Sequence, residues 1–292
     1  MKKIIKIPDE FIPLDKSWII RMGVLDMIHG YKDIQNFLNE QSNLGDDLLA
    51  LKRITKNWSS NKPLDVGESG TLYRLLKFVS WKLNLNKKFI THGTLTKRKI
   101  ADDSEIINYP IGKLLKLDNG TSQWATASIL CGSKKRVKNP PYKLQLTYEA
   151  VAHWNRQRQK NKTWIARRDE TILRQARVFT NLINRRRTSF KPMQPEDYCF
   201  ARVFGYITKN EGEKRWPSLK NHESNRISEM EMVINQANTG KRIDSRDHRV
   251  IQAIAMWAKV KSIKIKIKYQ NSVNKSWPQF WNFLKRSEMD RD

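Results

Sequence analysis

The chain has 292 residues, room for one large or two modest domains, and 39% of them are hydrophobic. Ten Trp and ten Phe argue against disorder; no apolar run is long enough for a bilayer and no signal-peptide core follows Met1. Fifty-six Lys and Arg against twenty-nine Asp and Glu give +27, which points to nucleic acid, to small anions in a basic cleft, or to a merely solvated Lys-rich surface.

In chain order, "MKKIIKIP" reads as a short strand ended by Pro8. "PLDKSWIIRMGVLDMIHG" spaces Ile19, Ile20, Val24 and Met27 as a helix stopped by Gly30. "GDDLLALKRITKNW" predicts a second helix, capped by Asp46 or Asp47, with Leu48, Leu51 and Ile54 on one face. "LDVGESGTLYRLLKFVSW" runs from a strand through a small-residue loop into a helix carrying Leu72, Leu75, Leu76 and Val79. Small residues at a helix start leave backbone N–H groups free, an anion site in outline. "KKFITHG" reads as a strand, and "NGTSQWATASILCG" repeats the theme of small residues before an apolar helix.

Residues 147 to 187 are helix-rich and basic, and "FKPMQPEDY" marks a turn or crossing. "RDHRVIQAIAMWAK" predicts a helix with an Asp-led start. "KSIKIKIKYQ" alternates over Ser262 to Lys268 and predicts a strand with Ile inward and Lys outward. The class is α/β or α+β, and the recurring strand, loop and helix of the first half hint at a repeated unit. Cys131 and Cys199 read as reduced, buried thiols; the five His are scattered, no C-x-x-C occurs, and neither metal nor cofactor is expected. A soluble cytoplasmic protein is the corresponding expectation.

The polar chemistry is concentrated in "DKSWIIR", "GESGTLYR", "GTLTKRK", "GTSQWATA", "HESNRI", "DHRVIQAIAMW" and "NKSWPQFW". Each alone is an ordinary cap or a solvated charge. In this order they resemble the enolpyruvyl transferase family, in its EPSP synthase (3-phosphoshikimate 1-carboxyvinyltransferase) branch. The resemblance runs from Asp15 to about Tyr142 and from Asp197 to the end. It implies a two-domain fold of repeated βαβαββ units, with residues 14–190 on the shikimate-phosphate side. Residues 1–13 and 191–292 would form a second domain lacking one repeat.

The implied reaction transfers the enolpyruvyl group of phosphoenolpyruvate to the 5-hydroxyl of shikimate 3-phosphate and releases phosphate, in aromatic amino-acid biosynthesis. Both substrates are anions, which calls for an Arg- and Lys-lined cleft between the domains. By resemblance, Lys16 contacts phosphoenolpyruvate and assists proton movement, and Ser17 and Arg21 hold the sugar phosphate. Gly70 brings its backbone to phosphoenolpyruvate, Arg98 binds phosphate, Thr121, Ser122 and Gln123 grip the sugar phosphate, and Tyr142 lies by the ring. Asp197 would be the base and Glu223 the proton donor, with Arg226, His248, Arg249 and Lys275 around phosphoenolpyruvate. No cofactor or membrane is implied, and a monomer is expected.

Three departures stand out. His222 replaces the family's lysine, Glu68 puts a negative charge where Asn is usual, and the chain is short. They leave open a degenerate homologue that only binds anions. The basic stretch around Trp154 and Trp164, with the "KIKIK" run, keeps nucleic-acid binding as the other alternative. Enolpyruvyl transfer to a nucleotide sugar fits less well, because Ser17 follows Lys16 and neither Cys lies in a suitable loop.

Overall fold

A computed structural model describes residues 7–117, 121–132, 138–160, 166–220 and 225–286. The chain divides into two compact units, Leu14–Arg167 and a second made of Met1–Pro13 with Arg168–Asp292.

In the Leu14–Arg167 unit, α1 (Lys16–His29) starts where the Asp15 carboxylate accepts from the Trp18 N–H at 3.1 Å. It ends at Gly30, whose φ of 76° suits a residue without Cβ. Trp18, Ile19, Ile20, Met22, Val24, Leu25 and Met27 are all buried, so α1 is surrounded on nearly every side. Around it pack α2 (Asp33–Glu40), α3 (Asp46–Asn57), α4 (Gly70–Lys82), α6 (Gln123–Gly132) and α7 (Gln145–Lys160), with α5 (Ile111–Leu117) against α6. The strands β1 (Leu64–Gly67) and β2 (Phe89–Thr91) flank α4 in sequence and pair in parallel, Leu64 opposite Phe89 and Gly67 opposite Thr91.

Asp26 ties three of these helices together. Its buried carboxylate accepts from the Ile34 N–H at 2.9 Å, the Trp154 indole at 2.8 Å and Arg158 at 3.0 Å. Burial outweighs these donors and raises the pKa of the Asp26 carboxyl.

The second unit contains α8 (Glu170–Ile183), α9 (Tyr198–Val203), α10 (Lys209–Arg215), α11 (Arg226–Asn238), α12 (His248–Val260) and α13 (Phe280–Arg286). Its core is Val250, Ile251, Ile254 and Met256 of α12 against Tyr198, Phe200, Met230, Trp277 and Phe280. The Trp277 indole donates to the Phe11 carbonyl at 2.6 Å, which ties the segment before Pro13 to the turn before α13.

Secondary structure is mostly helical with one small parallel sheet, broadly α/β or α+β. Repeated βαβαββ units are not seen; among the described residues only β1–α4–β2 has the strand–helix–strand form. The strand read into "MKKIIKIP" lies almost wholly outside the described residues, and Asp9–Phe11 form a 3₁₀ turn. Gly45, rather than Asp46 or Asp47, caps α3, because the Asp47 carboxylate is buried and committed to Lys16.

The strand expected over Ser262 to Lys268 does not form. Ile267 makes a single parallel bridge with Ile243, whose N–H donates to the Lys266 carbonyl and whose carbonyl accepts from the Lys268 N–H. An alternating pattern supplies one apolar face but no partner; beyond that bridge Ile263 is left exposed. Cys131 and Cys199 are free thiols, partly and fully buried, and burial pushes both up to about 12. No helix among the described residues is long and apolar enough to cross a membrane.

Gly212 in α10 is a close-approach position, since a Cβ there would overlap the Tyr198 ring. Gly212→Ala is expected to cost about 1–3 kcal/mol in urea unfolding. Gly112→Ala in α5, where nothing lies near, should instead gain roughly 0.5–1 kcal/mol.

Candidate functional site

In the Leu14–Arg167 unit the polar residues collect at the first turn of α6. Gln123 accepts from Arg74 Nη1 at 2.8 Å and donates through Nε2 to Thr71 Oγ1 at 2.9 Å, so it fastens α6 to the start of α4. Ser122 donates to the Lys143 carbonyl at 3.1 Å, beside Tyr142, which is exposed. One turn along, the Thr126 and Thr147 hydroxyls share a bond of 3.0 Å, and Arg21 Nε donates to Thr147 Oγ1 at 3.0 Å. Arg21 is thereby joined to α6 through two hydroxyls. Thr121 Oγ1 is buried and has no hydrogen-bond partner among the described residues.

Two guanidiniums meet the start of α4. A Cβ on Gly70 would lie 3.0 Å from Arg74 Nη1 and 3.2 Å from Arg98 Nη1. Ser69 caps the helix by accepting from the Leu72 N–H. The missing side chain at position 70 is what lets both cations close on the backbone. Arg98 also donates to Thr94 Oγ1 at 3.0 Å, and Thr94 donates to Glu68 at 3.3 Å. Glu68 folds against Gly93, where any Cβ would overlap its carboxylate.

Arg21 is a partly buried cation whose hydrogen-bond acceptors among the described residues are neutral: Thr147 Oγ1 and, at 2.7 Å, the Ser17 carbonyl. Burial pulls its pKa down to about 10, against the opposing pull of Asp15. Lys16 is bound to Asp47 at 2.6 Å. Gly70, Arg98, Ser122, Gln123 and Arg21 are thus linked through α4 and α6, and Arg74, Thr126 and Thr147 join them. Arg74 is the Arg that ends the "GESGTLYR" stretch; the two Thr have no signal beyond their type.

In the second unit, Arg226 at the start of α11 donates through Nε to Asp247 Oδ2 at 2.7 Å, with both side chains buried. Asp247 caps α12, its other oxygen accepting from the Arg249 N–H at 2.8 Å. Burial alone would raise its pKa; Arg226 and His248 instead hold the Asp247 carboxyl far below the usual carboxylate range. His248 and Arg249 are buried in the first turn of α12, and the carboxylate nearest Arg249 is Asp169 at 3.8 Å. Arg249 Nη1 is buried without a hydrogen-bond partner among the described residues. Lys275 precedes Ser276, whose hydroxyl accepts from Gln252 of α12 at 3.0 Å. Arg226, His248 and Arg249 therefore gather about the head of α12, and Lys275 adjoins Ser276, which bonds the same helix.

Asp197 is different. It is fully buried, and its carboxylate accepts from Arg174 at 2.9 Å, Gln175 at 3.2 Å, and the N–H groups of Met193 at 2.8 Å and Gln194 at 3.3 Å. That is the geometry of a structural cap, not of a base open to a substrate hydroxyl. His222 and Glu223 lie outside the described residues. Among the described residues no group of three or more His, Cys, Asp or Glu could hold a metal ion.

Comparison with known proteins finds no matching family model, no matching curated protein and no matching solved structure.

Because the Asp247 pKa is depressed on folding, its contribution to stability is present above about pH 4 and is lost on further acidification. Asp247→Asn should cost about 3–5 kcal/mol at neutral pH, since it strands the buried Arg226. Urea titrations at neutral pH and near pH 3 should show the variant losing less stability on acidification than the parent.

Proposed function

We propose that the chain is a shortened enolpyruvyl transferase of the EPSP synthase type, joining phosphoenolpyruvate to the 5-hydroxyl of shikimate 3-phosphate and releasing phosphate. The observation that carries this reading is the convergence of Arg74 and Arg98 on the bare backbone of Gly70, with Gln123 tying Arg74 to α6. Two guanidiniums beside free backbone N–H groups suit a tetrahedral phosphate or a planar carboxylate.

On this reading the sugar phosphate engages Ser122, Gln123 and Arg21. Arg21 suits the role because its hydrogen-bond partners are neutral and it can accept an anion's charge without giving up a carboxylate. Arg249 and Lys275 supply the corresponding positive charge for phosphoenolpyruvate in the second unit, where Arg249 Nη1 has bonding capacity to spare and Arg226 stays paired with Asp247. The hydroxyl oxygen adds to C2 of phosphoenolpyruvate while a proton reaches C3. Loss of that proton and of phosphate from the tetrahedral adduct then restores the double bond. Lys16 and Glu223 are the residues assigned to proton movement. Asp197 keeps its structural role, bonded to Arg174, Gln175 and the turn before α9, and does not take the hydroxyl proton.

The burial of Asp197 also favours a second reading, a homologue that binds the sugar phosphate and does not turn over. Phosphate release on mixing both substrates distinguishes the two. Under the transferase reading, Arg98→Ala and Lys16→Ala each lower kcat/KM by about a hundredfold, whereas Asp197→Asn lowers stability more than turnover. No release, with saturable shikimate 3-phosphate binding that Arg21→Met weakens, selects the binding-only homologue. Neither release nor binding by folded protein rejects both.

A further inference from the structure

Helix α4 carries a stripe apart from its core face. Tyr73, Lys77 and Trp81 follow at i, i+4 and i+8, and with Phe89 of β2 and Asp102 they help line a cavity of about 350 Å3. The space is at the small end of ligand sites, enough for one ring and its substituents. Tyr73 and Phe89 meet edge to face with centroids 5.6 Å apart. The Lys77 ammonium lies 5.0 Å from the centroids of both Tyr73 and Trp81 and donates to the Tyr73 hydroxyl at 2.9 Å. Its remaining partner is Asp102.

That ion pair is lopsided. The Lys77 side chain is 11% exposed, held among rings, while the Asp102 side chain is 82% exposed and has Lys77 as its one partner among the described residues. A carboxylate so open to water gains little from its pair and is replaceable. Lys77 is fixed, buried and backed by π faces, so another carboxylate arriving with a ring attached would gain the aromatic contacts that Asp102 lacks.

We propose that this cavity binds a small planar aromatic carboxylate, its carboxylate displacing Asp102 from Lys77 and its ring packing among Tyr73, Trp81 and Phe89. The site shares no residue with the cluster around Gly70 and stands apart from the transferase reading.

Isothermal titration of the whole chain with 4-hydroxybenzoate tests it. Saturable binding is expected, weakened at least about tenfold by Lys77→Met and tightened severalfold by Asp102→Asn, which removes the internal competitor. Cyclohexanecarboxylate and benzylamine should each bind at least about tenfold more weakly than 4-hydroxybenzoate, one lacking the π system and the other the negative charge. The proposal is overturned by the absence of saturable binding to both the parent and the folded, surface-altered Asp102→Asn at about 10 mM. It is equally overturned if Asp102→Asn weakens binding, or if folded Lys77→Met binds like the parent, which would place the carboxylate elsewhere on the basic surface.

Discussion

Buried aspartates hold this strongly basic chain together. Asp26 joins α1 to the start of α2 and to α7, and Asp47 fixes the start of α3 to Lys16. Asp197 collects α8 and the turn before α9, while Asp247 locks the head of α11 to the head of α12. Each is short enough to reach main-chain N–H groups or a nearby cation without exposing its own carboxylate, and each sits where two or more segments meet. With 29 acids against 56 bases, such junctions are where the acidic residues matter most. A buried cation needs a partner, and a carboxylate shared between segments satisfies several donors at once.

The same scarcity defines where binding capacity lies. Arg226 is bonded to Asp247 and Arg174 to Asp197, so each already has a carboxylate partner. Arg21 has neutral partners, and Arg249 has a carboxylate only at 3.8 Å and one nitrogen without a bond. Total charge therefore says little about the site. What distinguishes the anion-binding candidates is which guanidiniums remain uncommitted after the structural aspartates have taken theirs.

Much of the fold was legible because the chain punctuates it locally. Asp15 and Gly30 bound α1, Ser69 opens α4, and Asp247 opens α12, each through its own side-chain oxygen or its lack of a side chain. Where the deciding factor was a distant partner, sequence reading ran out. The Ile and Lys alternation after Ser262 has strand periodicity but finds only Ile243 beside it. Asp197 and Asp247 both look like acids opening a helix; the first is filled by Arg174 and Gln175 from a helix some twenty residues away in the chain, and nothing local announces that. In the candidate site, Gly70, Arg98 and Gln123 come into one cluster, whereas the part played by Thr126 and Thr147 depends on how α6 and α7 pack. The stripe of Tyr73, Lys77 and Trp81 was equally present in the sequence, but its meaning depends on Phe89 and Asp102.

Glu68 shows how position reverses the sense of a charge. As a negative residue in an anion-binding loop it reads as an obstacle. Its carboxylate instead lies over Gly93, where the left-handed backbone and absent side chain leave room for it, and accepts from Thr94. Thr94 in turn accepts from Arg98, whose other terminal nitrogen approaches Gly70. A Glu–Thr–Arg relay of this kind orients the guanidinium by giving one edge a fixed acceptor, and leaves the opposite edge directed at the helix start. The acid then acts on the start of α4 through the cation it positions; a Gln in its place would supply the same reach with a weaker acceptor, whereas Asn is one methylene shorter.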